Sequence, residues 1–114
     1  MPWPRPKWRG RQTSAEELRA EILRAIDEGF KELLGDSCSR AVYYYFHMRT
    51  GLRVEDVVDR PEALVGFLRE MFGAGAQVLE RGLVKRLCAK FGINPRDVEG
   101  ADLASLIKAL TSKE

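Results

Sequence analysis

The chain has 114 residues, of which 45% are hydrophobic and 32% are charged, with a formal net charge of +2. These totals are typical of one soluble globular domain and exclude a chain too polar to form a core. No apolar run approaches the roughly 18–20 residues of a membrane span, and no apolar segment follows the basic N-terminus as a secretion signal requires. We therefore expect a cytoplasmic protein that makes no membrane contact.

Residues 1–13 differ in composition from the rest of the chain. They hold four basic residues, no acidic residue, both tryptophans and three of the five prolines, whereas residues 14–114 carry a net charge of −2. Alternating prolines disfavour a helix and favour an extended path, and a segment with so little aliphatic content cannot form a core. The sequence predicts an extended basic arm over residues 1–13 and a single helical domain over residues 14–114.

The first two helices are marked by capping residues and glycines. Ser14 and Glu17 form the pattern of a capping box, which predicts that the first helix begins there. Apolar residues recur at helical spacing until Gly35, which is predicted to end that helix in the left-handed conformation. A second helix is predicted to start from a cap at Asp36 or Ser37 and to run to a glycine followed by leucine.

The remaining elements are also predicted to be helical. The segment VEDVV reads as a short turn, and Asp59 with the glutamate three positions later is predicted to cap a third helix, which the glycines of GAG end. A fourth helix is predicted over residues 76–91, a short turn at residues 94–95, and a last helix over residues 101–110. No window alternates with a period of two, so we predict no sheet. The fold class is therefore all-α, a compact orthogonal bundle of about five main helices.

Two segments resemble each other. RTGLRVEDV and KFGINPRDV both read basic-x-Gly-aliphatic-x-x-x-Asp-Val, and each follows one helix and precedes another. Either both are generic helix–glycine–turn connections, or they mark a duplicated helical hairpin.

Tyr43, Tyr44 and Tyr45 are consecutive on the second helix. Consecutive helical residues are 100° apart, so the three side chains span about 200° and cannot all face one core. They either form the core and its rim or contribute to an interface with a partner or a second copy, which suits the half-polar tyrosine side chain.

The arm has the chemistry of a nucleic-acid contact. Arginine and lysine neutralise phosphates, and tryptophan stacks on unpaired bases for about 1–3 kcal/mol each. The alternative is that the tryptophans fold back onto the helical body or clasp a second copy. A basic stripe on the fourth helix is either solvated or the second contact with the nucleic acid. The candidate nucleic-acid residues are Trp3, Arg5, Lys7, Trp8, Arg9 and Arg11 of the arm, with Lys85, Arg86 and Lys90 of the stripe.

No catalytic or metal site is predicted. His47 is the only histidine and lacks ligand spacing to either cysteine, so we expect a structural or surface role. Cys38 and Cys88 are expected to be reduced, buried thiols. The glycines of GAGA follow a helix, whereas a nucleotide-binding fingerprint follows a strand. We expect a protein that is not an enzyme and has no cofactor.

Residues 40–93 resemble a family of small archaeal domains. The matching segments are AVYYYFHMRTGL, VEDVVDRPEALVGFL and MFGAGAQVLERGLVKRLCAKFGI. They are similar to the Nitrosopumilus output domains, an all-helical family. The resemblance implies an archaeal setting and a non-catalytic output or interaction module, and the basic arm lies outside the pattern.

Two functions remain open at this point. The leading one is a nucleic-acid-associated accessory protein, bound to RNA or DNA or within a ribonucleoprotein, in which the arm contacts the nucleic acid and the helical body docks or dimerises. The other is a protein–protein interaction or output module, in which the helical body binds a protein partner or itself.

Overall fold

The computed structural model describes residues 15–98 and 102–111, and over these residues it contains helices and turns without any strand. The α-helices in chain order are α1 (Ala15–Leu34), α2 (Asp36–Thr50), α3 (Pro61–Phe72), α4 (Ala76–Phe91) and α5 (Leu103–Thr111). Shorter 3-10 turns occupy Val54–Val58, Gly73–Gly75 and Pro95–Val98. The prediction of an all-α fold is confirmed for the described part of the chain, whereas Ser14 and the arm lie outside it.

The helices enclose one core because each presents an apolar stripe. On α1 the stripe is Ile22, Ile26 and Phe30, all fully buried at the spacing that places them on one side of a helix. It packs on α4, where Leu83 and Leu87 are also fully buried. Helix α3 packs on both α4 and α5, and α2 lies against α1 and α3.

Two glycines let α1 and α4 approach closely. A Cβ atom added at Gly29 would lie 2.6 Å from a methyl carbon of Leu83, and one added at Gly82 would lie 2.7 Å from a methyl carbon of Leu33. One leucine of each helix therefore packs against a glycine of the other helix. Leu83 is fully buried, whereas Leu33 is 41% exposed, so the two contacts differ in how far the leucine can move.

The predicted helix ends are confirmed at the glycines, whereas the left-handed conformation predicted for Gly35 and two predicted caps are wrong. Gly35 has the positive φ of 86° that glycine tolerates, but its ψ of 166° is extended. Gly35 is also the residue that precedes α2 and accepts its first hydrogen bond, from the N–H of Ser39, in place of the predicted cap at Asp36 or Ser37. Helix α3 is preceded by Arg60 and starts with Pro61, whereas the carboxylate of Asp59 binds Arg19 at 2.6 Å. A proline at the first helical position needs no backbone partner, so α3 can begin without a side-chain cap.

The two similar segments share a local geometry. Gly51 ends α2 and Gly92 ends α4, both in the left-handed region with φ of 73° and 70°. Each glycine leads into a 3-10 turn, in which Asp56 and Asp97 donate their backbone N–H groups to a carbonyl three residues earlier. The resemblance in sequence therefore reflects the same helix–glycine–turn connection, and a duplicated hairpin stays a prediction.

Tyr43 attaches α2 to α1. Its hydroxyl donates a hydrogen bond to the Asp27 carboxylate at 2.8 Å, and its ring lies edge-on to Phe30 with centroids 5.7 Å apart. Burial of the phenol, together with the hydrogen bond to Asp27, raises the pKa of Tyr43 above its ordinary value of 10.0. Tyr43 thus stays protonated in the folded chain at pH values that ionise it in the unfolded chain.

We expect Tyr43 to make stability fall in alkaline solution. Because its folded pKa is raised, the stabilisation is complete below the unfolded pKa and declines above about pH 10, by at most ~1 kcal/mol per pH unit after solvent screening. Urea denaturation between about pH 9 and about pH 11 measures the slope. Tyr43→Phe should reduce the slope, whereas Tyr44→Phe, at a ring that is 59% exposed, should not. Equal slopes for Tyr43→Phe and the unmodified chain would contradict this assignment.

Candidate interaction surfaces

The side of α2 that faces away from the bundle is largely apolar and uncharged. Tyr44, Tyr45 and Met48 are 59%, 47% and 62% exposed, and the two tyrosine rings meet edge to face with centroids 5.3 Å apart. Cys38 and Ala41 are also exposed and continue the same stripe at spacings of three and four residues. We call these five residues the tyrosine surface.

The tyrosine surface follows from the sequence of α2, which has apolar residues on both sides. Only Ser39, Val42 and Phe46 of its 15 residues are buried, and they share the inner side of the helix. The predicted split of the consecutive tyrosines is confirmed, since Tyr43 turns inward to Asp27 while Tyr44 and Tyr45 turn outward. Their part in a partner interface stays a prediction.

Basic residues border the tyrosine surface. On a helical projection Arg40 lies along one border and Arg49 along the other. Arg49 pairs with Glu70 on α3, whereas Arg40 is exposed and makes no ion pair with any residue the structure describes. The one acidic residue of α2, Asp36, lies in its first turn. The Arg40 border therefore carries one cation without an ion pair in the described part of the chain, with Asp36 one helical turn before it.

The predicted basic stripe of α4 divides into paired and unpaired residues. Lys90 pairs with Glu21 at 3.2 Å and Arg86 with Glu32 at 2.7 Å, so both cations tie α4 to α1. The ion pair with Lys90 lowers the pKa of Glu21. Lys85 is exposed and has no ion pair within residues 15–98 and 102–111. Of the stripe, Lys85 is the residue left to meet an external anion.

Lys85 belongs to a cleft of about 830 Å³ between α3, α4, the turn Pro95–Val98 and the start of α5. Four basic and two acidic side chains line it, a net charge of +2. Arg81 and Lys85 are one helical turn apart on α4, and Arg96 comes from the turn. None of these three cations forms an ion pair in the described part of the chain. We call this site the basic cleft.

The two acidic residues of the basic cleft already have partners. Glu80, whose side chain is only 10% exposed, accepts a hydrogen bond from Arg69 at 3.3 Å. Asp102 accepts the backbone N–H of Ser105 at 2.9 Å as the cap of α5, and this bond, with the nearby Arg69 charge, lowers its pKa. The positive charge of Arg69 is thus balanced by Glu80, and the other three cations together with Asp102 account for the excess of +2.

The remaining predicted residues are placed as follows. Cys88 is buried, which raises its pKa, but Cys38 is exposed, so the prediction of two buried thiols is wrong for Cys38, which lies on the outer side of α2. The cysteines are not bonded to each other. His47 lies on the surface, with Nδ1 3.1 Å from the carbonyl oxygen of Leu52. Trp3, Arg5, Lys7, Trp8, Arg9 and Arg11 lie outside the described residues.

The described residues contain no group of three or more histidine, cysteine, aspartate or glutamate side chains placed to hold a metal ion. Among the described helices, none is both long and apolar enough to span a membrane.

Comparison with known proteins returned no match to a protein family, to a curated protein or to a solved structure. The resemblance of residues 40–93 to the output domains therefore stays a prediction. The surfaces described above are interpreted from their own chemistry.

Proposed function

We propose that the chain is a protein-interaction module that binds its partner through the tyrosine surface. The observation that carries this proposal is that Tyr44, Tyr45 and Met48 are exposed together on one helix, although large hydrophobic side chains are usually buried. Interfaces are enriched in tyrosine and methionine, because these side chains bury large area, and tyrosine keeps a polar end for the wet rim. The resemblance to output modules agrees with this assignment.

The partner we propose is an amphipathic helix of another protein with acidic residues beside its apolar stripe. Residues 38, 41, 45 and 48 repeat at spacings of three and four, which is the pattern of helix-to-helix packing. Acidic flanks would meet the unpaired Arg40. A second copy of α2 suits this surface less well, because it offers no acidic flank to Arg40 and an antiparallel pair places the two Arg40 borders on the same side.

A peptide-binding experiment tests this proposal. The probes are two fluorescent helical peptides with the same leucine stripe, one flanked by glutamates and the other by lysines. We expect the glutamate peptide to bind at least about ten-fold more tightly, because its flanks complement Arg40. Tyr44→Ser and Met48→Ser should each weaken that binding by about ten-fold or more, as truncation of interface anchors does. Anisotropy titration gives the dissociation constants.

Val78→Ser is the matched control for Met48→Ser. Val78 is 63% exposed, close to the 62% of Met48, but it lies on α4, so its replacement should leave peptide binding unchanged. If both peptides bind equally, the partner does not need acidic flanks and that part of the proposal is wrong. If Val78→Ser weakens binding as much as Met48→Ser, the tyrosine surface is not the binding site.

Two other occupants are distinguished by the same variants. Sedimentation over a range of concentrations should show a monomer. If it shows a dimer that Met48→Ser dissociates, the partner of the tyrosine surface is a second copy of this chain and not a helix of another protein. Trp3 and Trp8 are the only tryptophans, so their emission reports on the arm alone. A red shift of that emission in Met48→Ser would mean that the chain's own arm covers the tyrosine surface.

Nucleic-acid association is the second candidate function, and the unpaired Arg81, Lys85 and Arg96 favour it together with the charge of the arm. Arg86 and Lys90 pair with acids of α1, so in this candidate function Lys85 and the other unpaired cations of the basic cleft would form the second contact. Salt titration of oligonucleotide binding by the full chain and by a chain lacking residues 1–13 tests the role of the arm. Phosphate contacts make affinity fall steeply with salt concentration. If the full chain and the shortened chain have equal affinities and equal salt dependence, the arm does not contact the nucleic acid.

A further inference from the structure

We propose that the basic cleft binds the phosphate group of a small phosphorylated molecule. This site is separate from the tyrosine surface, which lies on α2, an element that contributes no residue to the lining of the cleft. Either site can therefore be tested and can fail without the other.

Charge is the first observation behind this site. Arg81, Lys85 and Arg96 line one cleft and have no acidic partner in the described part of the chain. By contrast, Arg86 of α4 forms an ion pair with Glu32. Arg81 and Lys85 are one helical turn apart and share the cleft with Arg96, so an anion that enters it is attracted by three cations. A phosphate monoester carries up to two negative charges and three acceptor oxygens, which suit forked guanidinium donors and an ammonium group.

The apolar part of the lining indicates that the phosphate has an organic body attached. Val84, Pro95 and Leu103 line the cleft beside the cations. A volume of about 830 Å³ lies within the ~300–1,000 Å³ range of small-molecule sites, and far exceeds what one phosphate group needs. The combination of apolar wall and convergent charges is the usual composition of such sites.

Glu80 adds a selective element. Glu80 lines the cleft with a side chain that is 10% exposed, and Arg69 alone among the described hydrogen-bond donors binds its carboxylate. A carboxylate has more than one acceptor position, so a second donor can be bound. A hydroxyl or amino group on the ligand body would supply it. The chemical class that fits is therefore a phosphate monoester with an apolar or planar body and a hydrogen-bond donor.

Calorimetric titration of the full chain tests this site, with inorganic phosphate, adenosine monophosphate and adenosine as probes. We expect adenosine monophosphate to bind at least about ten-fold more tightly than phosphate, because its body adds contacts to the apolar wall, and adenosine not to bind detectably. Lys85→Gln/Arg96→Gln should weaken the binding of adenosine monophosphate by about ten-fold or more, since two charge-assisted contacts are lost.

Arg40→Gln is the first control, because it removes an exposed cation that lies on α2, outside the cleft. It should leave binding unchanged. Arm variants Arg9→Gln/Arg11→Gln should likewise have no effect. The cleft assignment is overturned if neither phosphate-bearing probe binds, if Arg40→Gln weakens binding as much as the cleft variant, or if binding depends on the arm instead of Lys85 and Arg96.

A single-stranded oligonucleotide distinguishes the two sources of a phosphate group. If the small phosphorylated probe binds and competes with the oligonucleotide at Lys85 and Arg96, the cleft is a site for a phosphate monoester as proposed. If the oligonucleotide binds there and the small probe does not, the cleft is a backbone contact for nucleic acid, and the small-molecule proposal is wrong.

Discussion

Leu83→Ala is expected to lower the free energy of unfolding by about 2–5 kcal/mol, the range for removing a fully buried leucine side chain. Leu83 has no exposed surface and rests on Gly29 of the neighbouring helix. Because glycine has no side chain that could move into the vacated space, the cavity should persist and the loss should lie in the upper part of that range. Urea denaturation, with the dependence on urea concentration compared between variants, measures the change.

Gly29→Ala has opposite effects with and without Leu83. In the unmodified chain the new methyl group would lie 2.6 Å from a Leu83 methyl, and such overpacking costs about 1–3 kcal/mol against a helix-propensity gain of about 1 kcal/mol. In the Leu83→Ala background the same methyl group fills part of the cavity and should stabilise the chain. A double-mutant cycle should therefore show coupling, whereas additive effects would mean that Leu83 does not rest on Gly29.

The second glycine–leucine contact is the control for the first. A methyl group at Gly82 would lie 2.7 Å from Leu33, but Leu33 is 41% exposed and can turn toward solvent. Gly82→Ala should therefore stay within about 0.5 kcal/mol of neutral or stabilise the chain, since alanine favours the helix. A large loss at Gly82 as well would mean that both leucines are rigidly held.

Helix bounds were predictable where the sequence uses glycine, and packing was not. Fourth-helix bounds of 76–91 match α4, and Gly51 and Gly92 end their helices as predicted, because a left-handed residue there strongly favours glycine. Gly29 and Gly82 lie inside regular helices. Their role depends on which helix packs against which, and the periodicity of one helix carries no information about its neighbour.

Capping residues were less reliable because acidic side chains have competing partners. Asp59 fits the capping pattern, but Arg19, 40 residues earlier in the chain, takes its carboxylate. Asp102 is the reverse case, since it caps α5 through Ser105 and was not predicted as a cap. A carboxylate can bind either the backbone N–H groups of a helix start or a cation from a distant element, and only the fold determines which of the two an acid receives.

The candidate surfaces were predictable in part. Consecutive tyrosines had to divide between core and surface, but Asp27 on another helix determines that Tyr43 is the inward one. The basic stripe was visible on α4, but the acids of α1 that pair with Arg86 and Lys90 were not. Arg96 joins the cleft from a separate turn, so no spacing along the chain relates it to Lys85.

Phe46→Ala is expected to remove about 3–5 kcal/mol of stability and to release α2 before the rest of the bundle. Phe46 is 1% exposed, and its ring meets Phe67 of α3 edge-on with centroids 5.5 Å apart. Only three residues of α2 are buried, compared with seven of α4, so loss of Phe46 leaves Ser39 and Val42 as its buried residues beside the partly buried Tyr43. Elements with few buried residues open at lower free energy than the global unfolding reaction.

Amide hydrogen exchange measures which helix opens. In Phe46→Ala the α2 amides should lose protection while those of α4 keep more of theirs, whereas Phe91→Ala, at a residue of α4 that is 2% exposed, should reduce protection in all helices together. Opening of α2 also removes the tyrosine surface, so Phe46→Ala should weaken binding of the glutamate-flanked peptide although Phe46 cannot touch it. Equal loss of protection in every helix of Phe46→Ala would show instead that α2 unfolds only with the whole bundle.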